Sequence, residues 1–253
     1  MNQLTLKLLT GPPLSFVFKT PWLGIYPSWS AALAAIPPKC RIGYDHEESK
    51  ATFSTVPTTR VRPADYPILL HLRNLIKPGI RVLDLGGNIG MAYYTALKYY
   101  PLPESLEWTI CDVPALIATA KQVAVREGSK SNALRFVTRL QDADNCDIFF
   151  SSGTLQFLEE PLPRLLQQLP NLPPTLLINR IPVWERKPIA TIHDTGFCIC
   201  PYNVFNRQEW VQSVERIGYR LVDDWTCPES TFSIRFHPNL RINGYHGFYF
   251  SRI

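Results

Sequence analysis

"RVLDLGGNIG", residues 81–90, runs from apolar positions into three glycines within five residues. The first half has the composition of a buried strand, and the glycines mark a turn that opens a helix. Two phosphate-binding loops are excluded by spacing. A dinucleotide site shows GxGxxG after its strand, and a nucleotide-phosphate loop shows GxxxxGK followed by Ser or Thr. Gly86, Gly87 and Gly90 match neither, and no lysine stands in the turn. What remains is an acid at the strand end, Asp84, the turn, a helix, and a second strand, "LEWTICD", that ends in Asp112. That order suits a nucleoside carrying no phosphate. Glycines allow close backbone approach and positive φ. The Asp112 carboxylate can accept from both hydroxyls of a ribose, and Asp84 can order amides or water around a tail bearing an ammonium group. Asp112 also fits a cap for the helix near Pro114, and the glycines also fit tight helix packing.

Working outward, short β-type runs alternate with helical patterns from about residue 80, the signature of a parallel sheet with helices on both faces. A helix is expected from Asn88, with Ile89, Ala92, Tyr93, Ala96 and Tyr100 on one face. "PALIATAKQVAVREG" is the second helix, with Pro114 in its first turn and Gly128 past its end. "LRFVT", "DIFFSS" and "TLLINRI" read as further strands, the first two joined by a link too short for a helix. "PLPRLLQQL" carries a short helical pattern. Asn206 and Glu209 form a capping box for a last helix closed by Gly218. "YRLVDDW" and "GYHGFYF" are two final strands with no helix between them, expected to pair antiparallel at one edge. Residues 1–62 are proline-rich, with one helical candidate, "SWSAALAA", and are expected to cap the sheet. The main domain is expected over 63–253, with an irregular substrate-side insertion at 184–205.

With 45% hydrophobic and 19% charged residues, the composition is that of an ordinary globule, and no apolar run reaches the roughly 20 residues of a membrane span. The start of the chain has no secretion-signal pattern, so a cytoplasmic address is expected by default. The +5 charge is scattered, which argues against a nucleic-acid groove and leaves a small-molecule partner. Cys40, Cys111, Cys146, Cys198, Cys200 and Cys227 contain no CxxC pair and no histidine cluster, so reduced thiols and no metal are expected.

"DLGGNIG", "ICDVPALI", "DIFFSSGTLQFLEEP", "RIGYRLVDD" and the closing "GFYF" together resemble the class I, Rossmann-like methyltransferases that use S-adenosyl-L-methionine. Within these the chain is most similar to a bacterial family of functionally uncharacterised methyltransferases, over about residues 22–253. The resemblance implies a seven-stranded, mostly parallel sheet with an antiparallel edge strand and an N-terminal cap segment. It places the methionine part of the cofactor near Asp84, Gly86, Gly87, Asn88 and Gly90, Asn88 standing where the usual motif has glycine. It puts Asp112 on the ribose, Val113 and Asp142 at the adenine, and Ser151 and Ser152 under the cofactor. The serines also fit simple satisfaction of backbone groups in the turn.

Methyl transfer from a sulfonium requires alignment, a dry pocket and, for a hydroxyl acceptor, removal of a proton. His193 in "TIHDTGFCICPY" is the candidate base, on the loop after the fifth strand at the ligand-binding edge. Tyr202 joins it as a catalytic candidate, and Arg180 and Tyr44 as substrate contacts. Gln156 stands where many relatives of the fold place a histidine. The cap aromatics Trp22, Tyr26, Trp29 and Tyr44 fit either a sulfonium-facing role or a seal on the core. The expected function is methyl transfer to an oxygen or nitrogen of a small molecule or glycan precursor, with S-adenosyl-L-homocysteine as product. The alternatives are an internal alkylation releasing methylthioadenosine, and a non-catalytic cofactor-binding protein.

Overall fold

The computed structural model describes residues 20–40, 43–129, 133–234 and 236–253. The opening stretch, in which no secretion signal is read, lies outside them, as does the first part of the expected cap. In chain order the elements are β1 (Trp22–Tyr26), α1 (Trp29–Ala35), α2 (Glu47–Ser54), α3 (Asp65–Leu75), β2 (Arg81–Leu85), α4 (Met91–Tyr99), β3 (Glu107–Cys111) and α5 (Pro114–Arg126). There follow β4 (Leu134–Val137), β5 (Ile148–Ser152), α6 (Leu162–Leu166), β6 (Thr175–Ile181), β7 (Val183–Trp184), β8 (Ile189–Asp194) and β9 (Ile199–Asn206). The chain ends with α7 (Arg207–Glu215), β10 (Tyr219–Cys227), β11 (Phe232–Ile234), β12 (His237–Ile242) and β13 (Tyr245–Arg252).

The main sheet has the order β10-β13-β6-β5-β2-β3-β4. Strands β4, β3, β2, β5 and β6 run parallel, and β13 pairs antiparallel with both β6 and β10. The last two strands thus pair as expected, with β13 lying inside and β10 outermost. Val82 to Leu85 are all buried, as a strand covered on both faces must be. One face packs Val82, Trp108, Ile110 and Leu177 against α3, α4 and α5. The other packs Leu83, Phe149, Leu176 and Phe248 against α6 and α7. Helix α4 begins at Met91 rather than Asn88, because Asn88 (φ 54°) and Gly90 (φ 87°) adopt left-handed backbone that no helical residue shares. The expected caps form: Asn206 accepts from the Glu209 amide, and Gly218 leaves α7 at φ 91°.

A second sheet corrects the expectation of an irregular insertion at 184–205. Among the described residues its order is β12-β11-β1-β8-β9-β7. Strands β8 and β9 form an antiparallel hairpin, β1 from the N-terminal segment pairs with β8, and the β11–β12 hairpin extends the far side. Helix α1 covers one face of this sheet, packing Ala32 and Ile36 on Ala190 and Ile192. Helices α2 and α3 form where the sequence reading assigned none. Asp45, just before α2, reaches across to the main domain: its Oδ1 accepts from the Ala115 amide at 2.8 Å, in the first turn of α5. Val113, at the cap position of that helix, has no side-chain oxygen to do so. Among the described residues no helix is long and apolar enough to cross a membrane.

Asp45 therefore serves as a cap supplied from a distance. Asp45→Ala is expected to cost about 1 kcal/mol in urea unfolding, with Asp45→Asn retaining most of it. Identical midpoints for the wild type and the alanine variant would show that the bond contributes nothing.

Candidate active site

The turn after β2 is fixed by contacts only a glycine permits. Gly86 (φ 71°) donates its amide to the Cys111 carbonyl at 2.8 Å, and a Cβ there would lie 1.9 Å from Thr154 Oγ1. At Gly87 a Cβ would meet the Asp84 carboxyl carbon at 2.7 Å. Asn88 takes the left-handed conformation that Asn tolerates, and its Oδ1 accepts from the Ile89 amide at 2.8 Å. The Asn88 amide in turn donates to Asp112 Oδ2 at 2.8 Å, while Val113 donates to Oδ1 at 2.7 Å. Each carboxylate oxygen of Asp112 thus holds one backbone amide and keeps a lone pair for a ligand. Burial pushes the Asp112 pKa up to about 6, against the pull of those two amides. Asp84, beneath the turn, accepts from Trp108 Nε1 at 3.2 Å, and burial pushes it up to about 7, with the Asp112 charge adding to the rise.

These groups open into a cavity of about 830 Å³. Of the residues singled out from sequence, Asp84, Gly86, Gly87, Asn88, Asp112, Val113, Ser152, Arg180, Tyr44, His193 and Tyr202 line it. Gly90 shapes the start of α4 beside Ile110. Ser151 is buried beneath the floor, its Oγ donating to the Leu85 carbonyl at 2.9 Å. Asp142 pairs with Arg139 at 2.6 Å, and it is Arg139 with Leu140 that reaches the wall. Ser152 Oγ accepts from Arg180 Nε at 3.0 Å, and Arg180 Nη2 donates to the Ser152 carbonyl at 2.9 Å. This bidentate grip accompanies a left-handed backbone at Arg180 (φ 56°). Asn179 beside it is fully buried, donating to the Ala64 carbonyl and accepting from Trp225 Nε1.

The far end of the cavity belongs to the second sheet. Trp22 on β1 and His193 on β8 are cross-strand partners, so their side chains share a face. His193 lies among Trp22, Phe157 and Tyr202, with ring centroids 5.5, 5.6 and 5.4 Å away. Burial lowers its pKa to about 4, leaving it neutral near pH 7. Tyr202 shares a 2.6 Å hydrogen bond with Tyr245, and burial together with that neighbour holds its hydroxyl far above the usual phenol range. The Phe157 segment is pinned from two sides, by Trp29 Nε1 on its own carbonyl (3.0 Å) and Asn203 Nδ2 on the Leu158 carbonyl (2.8 Å). Three residues that line the cavity each hold a buried polar atom with no protein partner: Trp22 Nε1, Gln156 Oε1 and His193 Nδ1. Thr154 and Tyr245 carried no sequence signal, being placed only by the return of distant strands.

Among solved structures the chain is similar to the CcbJ methyltransferase from Streptomyces caelestis, with TM-score 0.53 and 13% identity over 83% of this chain and 98% of that one. It is also similar to a methyltransferase from Aquifex aeolicus described as dependent on S-adenosylmethionine (0.51, 17%, 81% and 98%). A third is the 1,6-didemethyltoxoflavin-N1-methyltransferase from Burkholderia thailandensis, whose structure holds 1,6-didemethyltoxoflavin and S-adenosylhomocysteine (0.52, 16%, 81% and 82%). The fold is that of the class I methyltransferases. No family model and no curated protein matches the sequence, so the narrower bacterial family it resembles is not shown. In this fold the Gly86–Asn88 turn, Asp112 and Ser152 gather at the carboxyl ends of β2, β3 and β5, where open α/β sheets bind ligands.

Gly86→Ala combines a left-handed backbone with the Thr154 overlap. It is expected to destabilise by well over the roughly 1 kcal/mol of backbone strain alone. Introduced beside Thr154→Ala, its cost should fall towards that figure in urea unfolding. The same cost in both backgrounds would show that Thr154 does not press on the turn.

Proposed function

We propose that the protein is an S-adenosyl-L-methionine-dependent methyltransferase acting on an oxygen or nitrogen of a small molecule. The observation that carries this reading is a single cavity with two unlike ends. At one lies a glycine turn beside a carboxylate whose oxygens each keep a free lone pair, and at the other an aromatic chamber with unpaired polar atoms. The fold supports the same reading, as does the S-adenosylhomocysteine held in the Burkholderia structure.

The residues present fit the cofactor. Gly86 and Gly87 leave a hollow that a Cβ would fill. Asp112 would accept from the ribose hydroxyls, and Val113 and Leu116 lie beside it for the adenine, with Arg139 and Leu140 on the facing wall. Asp84 would gain its charge opposite the ammonium group, since a neighbouring cation reverses the effect of burial. Bound S-adenosyl-L-methionine supplies a methyl group on a sulfonium, an electrophile needing no further activation.

The chain's remaining task is to align the acceptor and keep water out. His193, neutral and uncommitted at Nδ1, is placed to orient an acceptor and to hold its proton at that atom. Its lowered pKa makes it a weak base, so alignment rather than deprotonation dominates. Tyr202, protonated and tied to Tyr245, serves as a fixed wall and donor. Arg180 stiffens the cavity edge through Ser152, and Tyr44 closes the side near Asp112.

Because ribose hydroxyls donate to the ionised carboxylate, affinity for S-adenosylhomocysteine is expected to fall as the pH is lowered through about 6, where Asp112 takes up a proton. Asp112→Asn should remove that step and weaken binding by about 2 kcal/mol, leaving only the titration of Asp84, shifted below its wild-type position by loss of the Asp112 charge. Calorimetry across pH 5–8 checks this, and affinity independent of both pH and Asp112 would contradict it. Incubated with S-adenosyl-L-methionine alone, the protein is expected to leave it intact, whereas methylthioadenosine among the products would refute methyl transfer.

A further inference from the structure

The chamber at the second sheet has a chemical character that narrows the acceptor, on the reading that the glycine end of the cavity takes the cofactor. Its inner wall is built from Trp22, Gln156, Phe157, His193, Tyr202 and Tyr245. None of these carries a charge near neutral pH. His193 is held neutral by burial, and the two tyrosine hydroxyls share one hydrogen bond of 2.6 Å. The ionic side chains of the cavity lie outside this wall: Arg60 and Glu229 are exposed to solvent, and Arg62, Asp65 and Arg180 are half-buried. Glu229 already accepts from the Ala64 amide, and Asp65 from the Arg62 amide. A charged group pressed against this wall would lose its hydration with no counter-ion in the wall itself, which is a large penalty.

The ring geometry adds a shape. His193 and Tyr202 each stand 5.0 to 6.0 Å, centroid to centroid, from Trp22 and Phe157 and 5.4 Å from one another, forming a continuous aromatic lining. Such a lining favours a flat apolar face by stacking or edge contact. A sugar also presents an apolar face, but each of its hydroxyls needs a partner once buried. Beyond the tyrosine pair, the polar atoms of the chamber's residues that lack a partner are few: a donor at Trp22 Nε1, an acceptor at Gln156 Oε1, and the imidazole Nδ1 of His193. Gln156 is 4% exposed and its oxygen points at no protein donor, although buried polar atoms are almost always paired. An acceptor carrying one donor and one acceptor on a single edge would satisfy both Gln156 and Trp22.

We propose that the methyl acceptor is an uncharged planar ring, aromatic or heteroaromatic, with a hydrogen-bond donor and a hydrogen-bond acceptor on one edge, as in a lactam or a hydroxylated heterocycle. The ring lies against the Trp22, Phe157, His193 and Tyr202 wall, and its polar edge faces Gln156 and Trp22.

The test uses the full chain with oxindole as probe, a flat neutral lactam. Its ring-saturated analogue, methyl N-acetylglucosaminide and a carboxylate-bearing oxindole serve as rivals, each titrated by calorimetry with S-adenosylhomocysteine present and absent. Oxindole is expected to bind at least about tenfold more tightly than each rival, one lost buried hydrogen bond or stack being worth roughly that factor. Gln156→Leu is expected to weaken oxindole about tenfold and to leave S-adenosylhomocysteine affinity unchanged. Because that variant can fail to fold, the wild-type protein labelled at tryptophan nitrogen supplies a second readout. One indole N–H resonance, identified by its loss in Trp22→Phe, should shift when oxindole is added. Equal or tighter binding of the sugar, the saturated lactam or the carboxylate would overturn the proposal, as would an unmoved Trp22 resonance. Oxindole binding without any S-adenosylhomocysteine binding would sink the cofactor reading and uphold the character of the chamber. The reverse result would sink the chamber proposal alone.

Discussion

The Asp112 carboxylate holds the amides of Asn88 and Val113 from opposite sides, and the rest of the site is arranged around that grip. It locks a left-handed Asn88 at the end of β2 to the end of β3, so the turn cannot relax into the helix that follows. The geometry leaves no room for side chains at Gly86 or Gly87, whose places are filled by Thr154 and Asp84. The constraint has an electrostatic side as well. Burial disfavours the charged form of both neighbouring carboxyls and raises both pKa values. For each, folding stability is fully present below the unfolded carboxyl pKa and declines as pH rises through about 6 for Asp112 and about 7 for Asp84. A ligand bringing a positive charge and hydroxyl donors relieves that cost, so the hollow is built to be more comfortable filled than empty.

The second sheet converts this hollow into an enclosed site. Its strands come from three separated parts of the chain: β1 from the N-terminal segment, β8 and β9 from between β6 and α7, and β11 with β12 from between β10 and β13. Two bonds bind the N-terminal part to the main domain next to the site. Asp45 caps α5 one turn beyond Asp112, and Trp29 holds the carbonyl of Phe157. Within the main domain Asn179 joins the end of β6 to the start of α3 and to β10 through Ala64, Trp225 and Cys227. Trp29 fixes Phe157, one wall of the chamber, from the N-terminal part.

Much of the main sheet was legible because its signals are local. Buried parallel strands such as "RVLDL" and "DIFFSS" are continuous apolar runs, the Asn206 and Glu209 capping box is a fixed spacing, and Gly128 and Gly218 end their helices as sequence predicts. The hairpin of β8 and β9 was not legible. Its inward positions carry His193 and Tyr202, which line the cavity, so the polar and apolar alternation of a half-buried strand is broken. β1 has only five residues and exists by pairing with β8 and β11, some 170 and 212 positions away in the chain. Asp84, Asp112 and the glycines could be found from the turn alone. Asp45, Thr154 and Tyr245 could not, because each acts on a residue remote in sequence.

On the proposed reading, one cavity holds an adenosyl ligand against Asp112 with its sulfur directed to the chamber of His193. A crystal structure grown with S-adenosylhomocysteine is the decisive measurement. Both ribose hydroxyls are expected on the Asp112 carboxylate, with the thioether turned towards the Trp22 and His193 wall. Ligand density elsewhere on the protein, or a ribose that leaves Asp112 uncontacted, would contradict it.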